Sequence, residues 1–223
     1  MTQTWFITGA SRGFGRALSE SALVAGDRVV ATARRPEVLD DLVQLHSADL
    51  LTLPLDVTDS RAARQALQAG VDRFGRLDVV VNNAGYANVA PIETGEDEDF
   101  RVQFETNFWG VYNVSKAAIE PLRRQGGGLI VQFSSIGGRV GGSPGIASYQ
   151  AAKFAVDGFT RVLAAETAPF GIRTLVVEPS GFATPTQRTR FRWSCWGRGS
   201  SGSAGLASTP DPPWQPTGEP AWQ

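Results

Sequence analysis

The chain alternates short apolar runs with longer segments of helical spacing, and this alternation restricts its fold more than any other feature. The apolar, β-branched runs cover residues 5–8, 28–33, 51–55, 77–81, 128–133 and 172–177. The helical segments cover residues 13–25, 36–45, 60–74, 97–124 and 148–169. Strands that alternate with helices form a parallel sheet covered on both faces. The sequence therefore predicts an α/β fold with six strands and five helices.

Composition limits the classes of function. A length of 223 residues fits one globular domain. The net charge of −1 and pI of about 5.9 provide no basic stripe, so we expect neither nucleic acid nor a membrane surface as partner, but a small neutral or lipophilic substrate. One cysteine, Cys195, and one histidine, His46, cannot form a disulfide framework or a usual metal cluster. Redox chemistry would therefore need a bound organic cofactor.

Two further features concern location. No apolar run approaches the roughly 18 residues of a membrane span. The N-terminus enters a strand pattern without a charged and then apolar leader. We expect a soluble, cytoplasmic protein.

The first strand runs directly into Gly9-Ala10-Ser11-Arg12-Gly13-Phe14-Gly15, and a helical segment follows. Glycines let such a loop turn tightly and approach a pyrophosphate, which the free N–H groups and positive dipole of the helix start attract. Turns are rich in glycine everywhere, but the strand before and the helix after supply the context that a phosphate loop requires. The loop predicts a dinucleotide site, with an ordinary turn between strand and helix as the alternative.

Further landmarks follow this loop in a fixed order. They are Asp56, Asn82-Asn83-Ala84-Gly85, Asn107, Ser134-Ser135, Tyr149-x-x-x-Lys153, and Pro179 leading to Thr184. The loop and this series resemble the short-chain dehydrogenase/reductase family as far as about Thr184. The resemblance implies one Rossmann-type domain, a doubly wound parallel sheet with strand order 3-2-1-4-5-6. It also implies reversible hydride transfer between a nicotinamide cofactor and a carbonyl or alcohol substrate.

The end of the second strand indicates which nicotinamide cofactor is preferred. Sites for NAD place an acidic residue there, whereas this chain has Arg34 and Arg35. A guanidinium suits a 2′-phosphate, and Arg12 resembles the family's second basic contact. We therefore expect NADP(H), with NAD(H) less favoured. The alternative is that Arg34 and Arg35 are solvated surface residues at a helix entrance.

The resemblance extends the cofactor site along the carboxyl ends of the strands. Asp56 is assigned to the adenine, while Asp59 is predicted to cap the next helix. Asn82 and Asn83 have a turn-forming role as the alternative. The full predicted cofactor set is Gly9, Ser11, Arg12, Gly13, Phe14, Gly15, Arg34, Asp56, Val57, Asn83, Ala84, Gly85, Tyr149, Lys153, Pro179 and Thr184.

Tyr149 and Lys153 lie four residues apart in a helical segment, so they share one helix face. An adjacent ammonium favours the phenolate, which brings a phenol closer to the pKa that acid–base catalysis at neutral pH requires. The resemblance makes Tyr149 the acid/base, Ser135 the hydroxyl that polarises the substrate oxygen, with Ser134 as the alternative, and Asn107 part of a proton relay to Lys153. Each of these residues also has a purely structural alternative. Tyr149 and Lys153 could form a surface contact, the two serines could form a turn, and Asn107 could be a hydrogen-bonded buried amide.

Beyond Thr184 the sequence is rich in proline, glycine, serine and arginine and contains neither valine nor isoleucine. We expect residues 1–184 to form the NADP(H)-binding domain and residues 185–223 a low-complexity, disordered tail. A shifted reading frame is the favoured hypothesis for the tail, and an evolved interaction tail is the alternative.

The tail also bears on function. Nothing in residues 182–223 resembles the seventh strand or the substrate-covering segment of full-length relatives. A catalytically impaired NADP(H)-binding remnant is therefore the second functional hypothesis, and the family's usual homo-oligomer is a weaker expectation.

Overall fold

The computed structural model describes residues 2–179. Its six strands form one parallel sheet in the order β3-β2-β1-β4-β5-β6, which confirms the predicted fold class and strand order. The strands are β1 (Thr4–Thr8), β2 (Arg28–Ala33), β3 (Leu50–Pro54), β4 (Val79–Asn82), β5 (Gly128–Phe133) and β6 (Ile172–Val177). The α-helices are α1 (Gly13–Val24), α2 (Asp40–His46), α3 (Ser60–Phe74), α4 (Asp97–Phe104), α5 (Gly110–Arg124) and α6 (Ala147–Thr167).

Each face of the sheet has its own apolar core, because the central strands are buried on both sides. On one face, Phe6, Val80 and Ile130 pack with apolar side chains of α3, α5 and α6. On the other face, Ile7 and Val81 pack with side chains of α1 and α2. Nearly continuous apolar strands are typical of a sheet covered by helices on both faces.

Two helical segments differ from the prediction in their internal form. The predicted helix 97–124 is divided by a π-helical turn at Glu105–Trp109, where the chain holds one extra residue per turn. The predicted helix 36–45 begins as a 3-10 turn at Pro36–Leu39 and continues as α2. The described residues thus contain six α-helices instead of five. The spacing of apolar residues does not distinguish these helical types.

Both ends of α3 have defined caps, and the cap at Asp59 is the one predicted from the sequence. Asp59 accepts hydrogen bonds from the backbone N–H groups of Arg61 and Ala62 at 2.8 and 3.0 Å, and these bonds lower the pKa of its carboxyl group. Gly75 ends the helix in the left-handed region at φ +82°. The helix therefore starts and stops at residues with defined capping roles.

The strand order reverses between β1 and β4, and this reversal positions the site. In such sheets a crevice forms at the carboxyl ends of the strands where neighbouring connections run to opposite faces. The loops after β1, β4 and β5 all open at this edge. Among the described residues, no helix combines the length and apolar character needed to cross a membrane. The predicted tail, and the segment where a seventh strand would follow, lie outside the described residues.

Candidate active site

The glycine loop joins β1 to α1 through backbone conformations that favour glycine. Gly9 and Gly13 have φ values of +65° and +59°. A Cβ atom on Gly15 would lie 2.5 Å from Asn83 Nδ2 and would also meet the Gly9 carbonyl oxygen. The first turn of α1 can therefore approach the strand ends closely only because residue 15 has no side chain.

The rest of the predicted loop surrounds the start of α1. Arg12 immediately precedes the helix and is exposed, and Ser11 is half-buried. The Phe14 ring packs on Phe133 at the end of β5, with 5.5 Å between ring centroids. The loop thus leaves the N-terminal N–H groups of α1 facing the crevice edge, as an anion site requires.

Asn83 holds this loop from the neighbouring strand. Its Nδ2 donates to the backbone oxygens of Thr8 and Gly9 at 2.9 and 3.1 Å. The Thr8 hydroxyl donates to Val81 O and accepts from the N–H groups of Asn83 and Ala84. The segment after β4 therefore fixes the start of the glycine loop through hydrogen bonds to Thr8 and Gly9. Thr8 was not assigned a role from the sequence, although it stands directly before the first glycine.

The predicted 2′-phosphate contacts lie at the exposed end of β2. Arg34 and Arg35 follow the last residue of that strand and are exposed, as is Arg12. Within residues 2–179, none of these three guanidinium groups has a hydrogen bond or an ion pair. By contrast, Arg16 on α1 is fully engaged with Glu20 and Asp41. The three arginines are therefore free to bind an anionic ligand.

Asp56 and Val57 form the loop after β3. Asp56 Oδ1 accepts from the backbone N–H and hydroxyl of Thr58 at 3.0 and 2.8 Å, which closes a short turn. Val57 is buried against Gly110 of α5. A Cβ atom added to Gly110 would lie 3.0 Å from the Cβ atom of Val57. Asn113 Nδ2 donates to the Val57 carbonyl oxygen at 3.1 Å. Helix α5 therefore fixes this loop beside the cleft.

The two serines after β5 point in different directions. Ser134 is buried, and its Oγ lies 3.5 Å from the Lys153 carbonyl oxygen of α6. Ser135 is half-buried and accepts a hydrogen bond from the Gly137 N–H at 3.1 Å. That bond leaves the Ser135 hydroxyl proton available as a donor. The geometry favours Ser135 over Ser134 for contact with a substrate oxygen.

Tyr149 and Lys153 lie on one face of α6, as their spacing predicts. Lys153 Nζ is 5.7 Å from the centroid of the Tyr149 ring, and its hydrogen bond goes to the Phe133 carbonyl oxygen at 2.6 Å. Tyr149 is half-buried, whereas Lys153 is only 4% exposed. Burial lowers the pKa of the Lys153 ammonium group to about 8. The ammonium therefore acts on the phenol through space and not through a direct bond.

Asn107 sits in the π-helical turn and is fully buried. Its Oδ1 accepts from the Tyr86 N–H at 3.0 Å and its Nδ2 donates to Tyr86 O at 2.7 Å. A Cβ on Gly85 would lie 2.8 Å from Asn107 Oδ1 and 3.7 Å from Lys153 Nζ. The side-chain amide thus makes two hydrogen bonds to backbone atoms and ties the loop after β4 to the π-helical turn. The role of Asn107 in a proton relay stays a prediction.

The last predicted contacts lie after β6. The Pro179 carbonyl oxygen accepts from the Ile136 N–H at 3.2 Å, which places Pro179 beside the Ser135 turn. Thr184 lies outside the described residues. The structure therefore brings the glycine loop, Asn83 to Gly85, Ser135, Tyr149, Lys153 and Pro179 to one edge of the sheet.

Comparisons with known proteins agree with this arrangement. The model of the short chain dehydrogenase family matches residues 3–194. The chain is 52% identical over 185 residues to Oxidoreductase BOA17 of Botryotinia fuckeliana (strain B05.10), covering 82% of this chain and 67% of the relative. It is 38% identical over 182 residues to a 3-ketodihydrosphingosine reductase of Bacteroides thetaiotaomicron, covering 82% and 65%.

A solved structure shows the same fold. The crystal structure of a short-chain dehydrogenase from Streptomyces avermitilis matches with a TM-score of 0.79 at 40% identity, covering 83% of this chain and 68% of that chain. The chain thus spans about two thirds of the length of these relatives. The strand order of the sheet agrees with this likeness. The chain therefore belongs to the short-chain dehydrogenase family of oxidoreductases, which bind nicotinamide cofactors.

Proposed function

We propose that this chain is an NADP(H)-dependent oxidoreductase that interconverts a carbonyl and an alcohol in a small, uncharged substrate. The observation that carries the proposal is the placement of Ser135, Tyr149 and Lys153 at the sheet edge onto which the glycine loop opens. When bound, the nicotinamide supplies or accepts the hydride. The protein contributes orientation and the proton.

The described residues could bind a dinucleotide, because they provide a surface free of side chains and exposed positive charges. The α1 N-terminus would hold the pyrophosphate, since Gly9 and Gly15 keep this approach free of side chains. Arg34, with Arg12, would hold a 2′-phosphate, since both guanidinium groups are exposed and have no partner within residues 2–179. Lys153 and the backbone from Asn83 to Gly85 would border the nicotinamide end.

Proton delivery falls to Tyr149. Its phenol oxygen donates a proton to the carbonyl oxygen during reduction and removes one from the alcohol during oxidation. Lys153 stabilises the phenolate that forms during proton donation, because an ammonium beside a phenol lowers the free energy of its anion. The Ser135 hydroxyl donates to the substrate oxygen and holds it in place.

Tyr149→Phe tests the proposal because it removes the proton donor and keeps the ring. We expect NADPH-dependent reduction of a panel of ketones, aldehydes and quinones to fall by about 100-fold or more. NADPH binding, measured by fluorescence, should persist. Tyr112→Phe is the matched control, since Tyr112 lies on α5 and its hydroxyl contacts Lys116. Equal rates for wild type and Tyr149→Phe would refute the mechanism.

Arg34→Ala tests the choice of cofactor. We expect the Kd for NADPH to rise about tenfold, as for loss of a charge-assisted hydrogen bond, while the Kd for NADH stays unchanged. Arg64→Ala, which removes an exposed arginine from α3, is the control. Equal affinity of the wild type for both dinucleotides would contradict the 2′-phosphate site.

One further outcome separates the two functional hypotheses. Wild-type protein that binds NADPH but reduces no compound of the panel would favour a catalytically impaired NADP(H)-binding remnant. Measurable turnover that depends on Tyr149 would exclude it.

A further inference from the structure

Asp157 lies one helical turn beyond Lys153 on α6, so the two side chains share a helix face. Its Oδ1 atom is buried, and within residues 2–179 no hydrogen-bond donor reaches it. A buried carboxylate oxygen without a donor is costly unless a positive charge lies nearby. The Asp157 side chain as a whole is half-buried, so a nearby cation would stabilise the enclosed oxygen.

Lys153 is a buried cation with one hydrogen-bond acceptor and no ion pair among the described residues. A lysine ammonium has three N–H donors, and Lys153 uses one of them in its bond to the Phe133 carbonyl oxygen. It makes no ion pair within 4.0 Å in the described chain. The Lys153 charge thus lacks a contact counterion, and Asp157 is placed to balance it at longer range.

Other charged groups near this part of α6 are exposed or already paired. Arg139, in the turn packed on α6, pairs with Glu178 after β6 at 3.4 Å. Tyr149 is the other titratable group on the turn that carries Lys153. The remaining charged groups on α6 and on the elements packed against it are exposed: Arg161, Glu166, Arg173, Asp97, Glu98, Asp99, Arg101 and Glu105. Among the described residues, Asp157 is therefore the charged group best placed to act on Lys153, because it lies one turn along the same helix face with an enclosed carboxylate oxygen.

We propose that Asp157 is a positioning residue that keeps Lys153 protonated, so that Lys153 can in turn support the proton transfer of Tyr149. The second half of this proposal rests on the proposed function. The two electrostatic effects on Lys153 oppose each other: burial lowers the pKa of its ammonium group, and the Asp157 carboxylate raises it. With the net pKa at about 8, the lysine stays mostly charged at neutral pH. Removal of the Asp157 charge should lower the pKa into the neutral range.

The chain offers a direct measurement because Lys116 and Lys153 are its only lysines. In a Lys116→Arg background, protein with ¹³C-labelled lysine side chains gives a single lysine Cε signal, whose pH titration reports the pKa of Lys153. We expect the pKa to fall by about one unit in Asp157→Asn, as for loss of a nearby opposite charge. Asp157→Glu should restore it, because the carboxylate returns to the same helix face.

Two further variants make this measurement decisive. Glu166→Gln removes an exposed carboxylate from the same helix and should leave the Lys153 titration unchanged. Asp157→Ser provides a second neutral variant if Asp157→Asn does not fold, as judged by circular dichroism. A Lys153 pKa that is the same in the wild type and in a folded neutral variant would overturn the proposal.

The catalytic part has its own readout. The alkaline limb of the kcat/KM profile for carbonyl reduction reports groups of the free enzyme, and it should move to lower pH by the same amount in Asp157→Asn. An unmoved limb in an active variant would overturn the positioning role. If the NMR titration shifts but the wild type itself reduces no carbonyl compound, the electrostatic link between Asp157 and Lys153 stands and the proposed function fails.

Discussion

At the scale of single residues, the site depends on positions where a side chain is missing. A Cβ on Gly15 would collide with Asn83 Nδ2, and a Cβ on Gly85 would collide with Asn107 Oδ1. Both neighbouring amides already make two hydrogen bonds to backbone atoms. Neither amide can move aside without breaking those bonds, so the two glycines set how closely α1 and the π-helical turn approach the segment after β4.

Gly15→Ala should therefore destabilise the protein and weaken dinucleotide binding. We expect a loss of about 1–3 kcal/mol in the free energy of unfolding, as for an overpacked core, measured by urea denaturation. Gly158→Ala is the control, since a Cβ on Gly158 of α6 meets no atom within 4 Å and alanine favours helix. That variant should be as stable as the wild type or more so. Unchanged stability and NADPH affinity in Gly15→Ala would contradict the steric account.

At the scale of elements, the π-helical turn Glu105–Trp109 is the feature that joins two loops of the site. In this turn the Gly110 N–H bonds to the carbonyl oxygen five residues earlier, at Glu105. The extra residue rotates the helix locally, and Asn107 faces the backbone of Tyr86. Turns of this kind are frequent at functional sites. Here the turn ties the loop after β4 to the helix that precedes α5.

Asn107→Leu tests this link, because leucine has nearly the same size but cannot bond to Tyr86. Two backbone groups would lose their partner, so we expect a loss of about 1–3 kcal/mol in unfolding free energy and a larger fractional loss of NADPH-dependent reduction. Asn88→Ala is the control from the same loop; it removes two exposed hydrogen bonds and should lower the unfolding free energy by less than about 1 kcal/mol. Full activity in Asn107→Leu would show that the loop does not need this anchor.

At the scale of the described domain, two separate cores pack on opposite faces of one sheet. Ile130 of β5 belongs to the core under α3, α5 and α6, and Ile7 of β1 belongs to the core under α1 and α2. The strand β4 lies between β1 and β5. The two side chains therefore belong to separate apolar clusters, and the candidate site occupies the sheet edge above both cores.

Ile130→Val and Ile7→Val should act independently. We expect each to lower the free energy of unfolding by about 0.5–1.5 kcal/mol, and the double variant to lower it by the sum within about 0.5 kcal/mol. Val162→Ala, an exposed position on α6, is the control. Urea denaturation measures all four variants. A coupling larger than about 1 kcal/mol would mean that the sheet transmits strain between its faces.

The type of the strands and the approximate extent of the helices could be predicted from the sequence because each depends on local periodicity, whereas the strand order was predicted from the family resemblance. The cap at Asp59 and the helix end at Gly75 were predictable for the same reason, since each follows from one residue type at one local position. Strand boundaries shifted slightly: the predicted strand 77–81 forms at Val79–Asn82, because pairing with β1 and β5 sets its ends.

By itself, the sequence determined the α/β fold, the glycine loop and the Tyr149–Lys153 face, because these depend on spacing along the chain. Only the tertiary structure decided which groups those residues contact. Asn83 reaches Thr8 across 75 positions of sequence, Lys153 bonds to a strand carbonyl, and one carboxylate oxygen of Asp157 is enclosed without a donor among the described residues. Such contacts depend on how the elements pack. The spacing of residues within one helix or strand does not indicate which other elements pack against it.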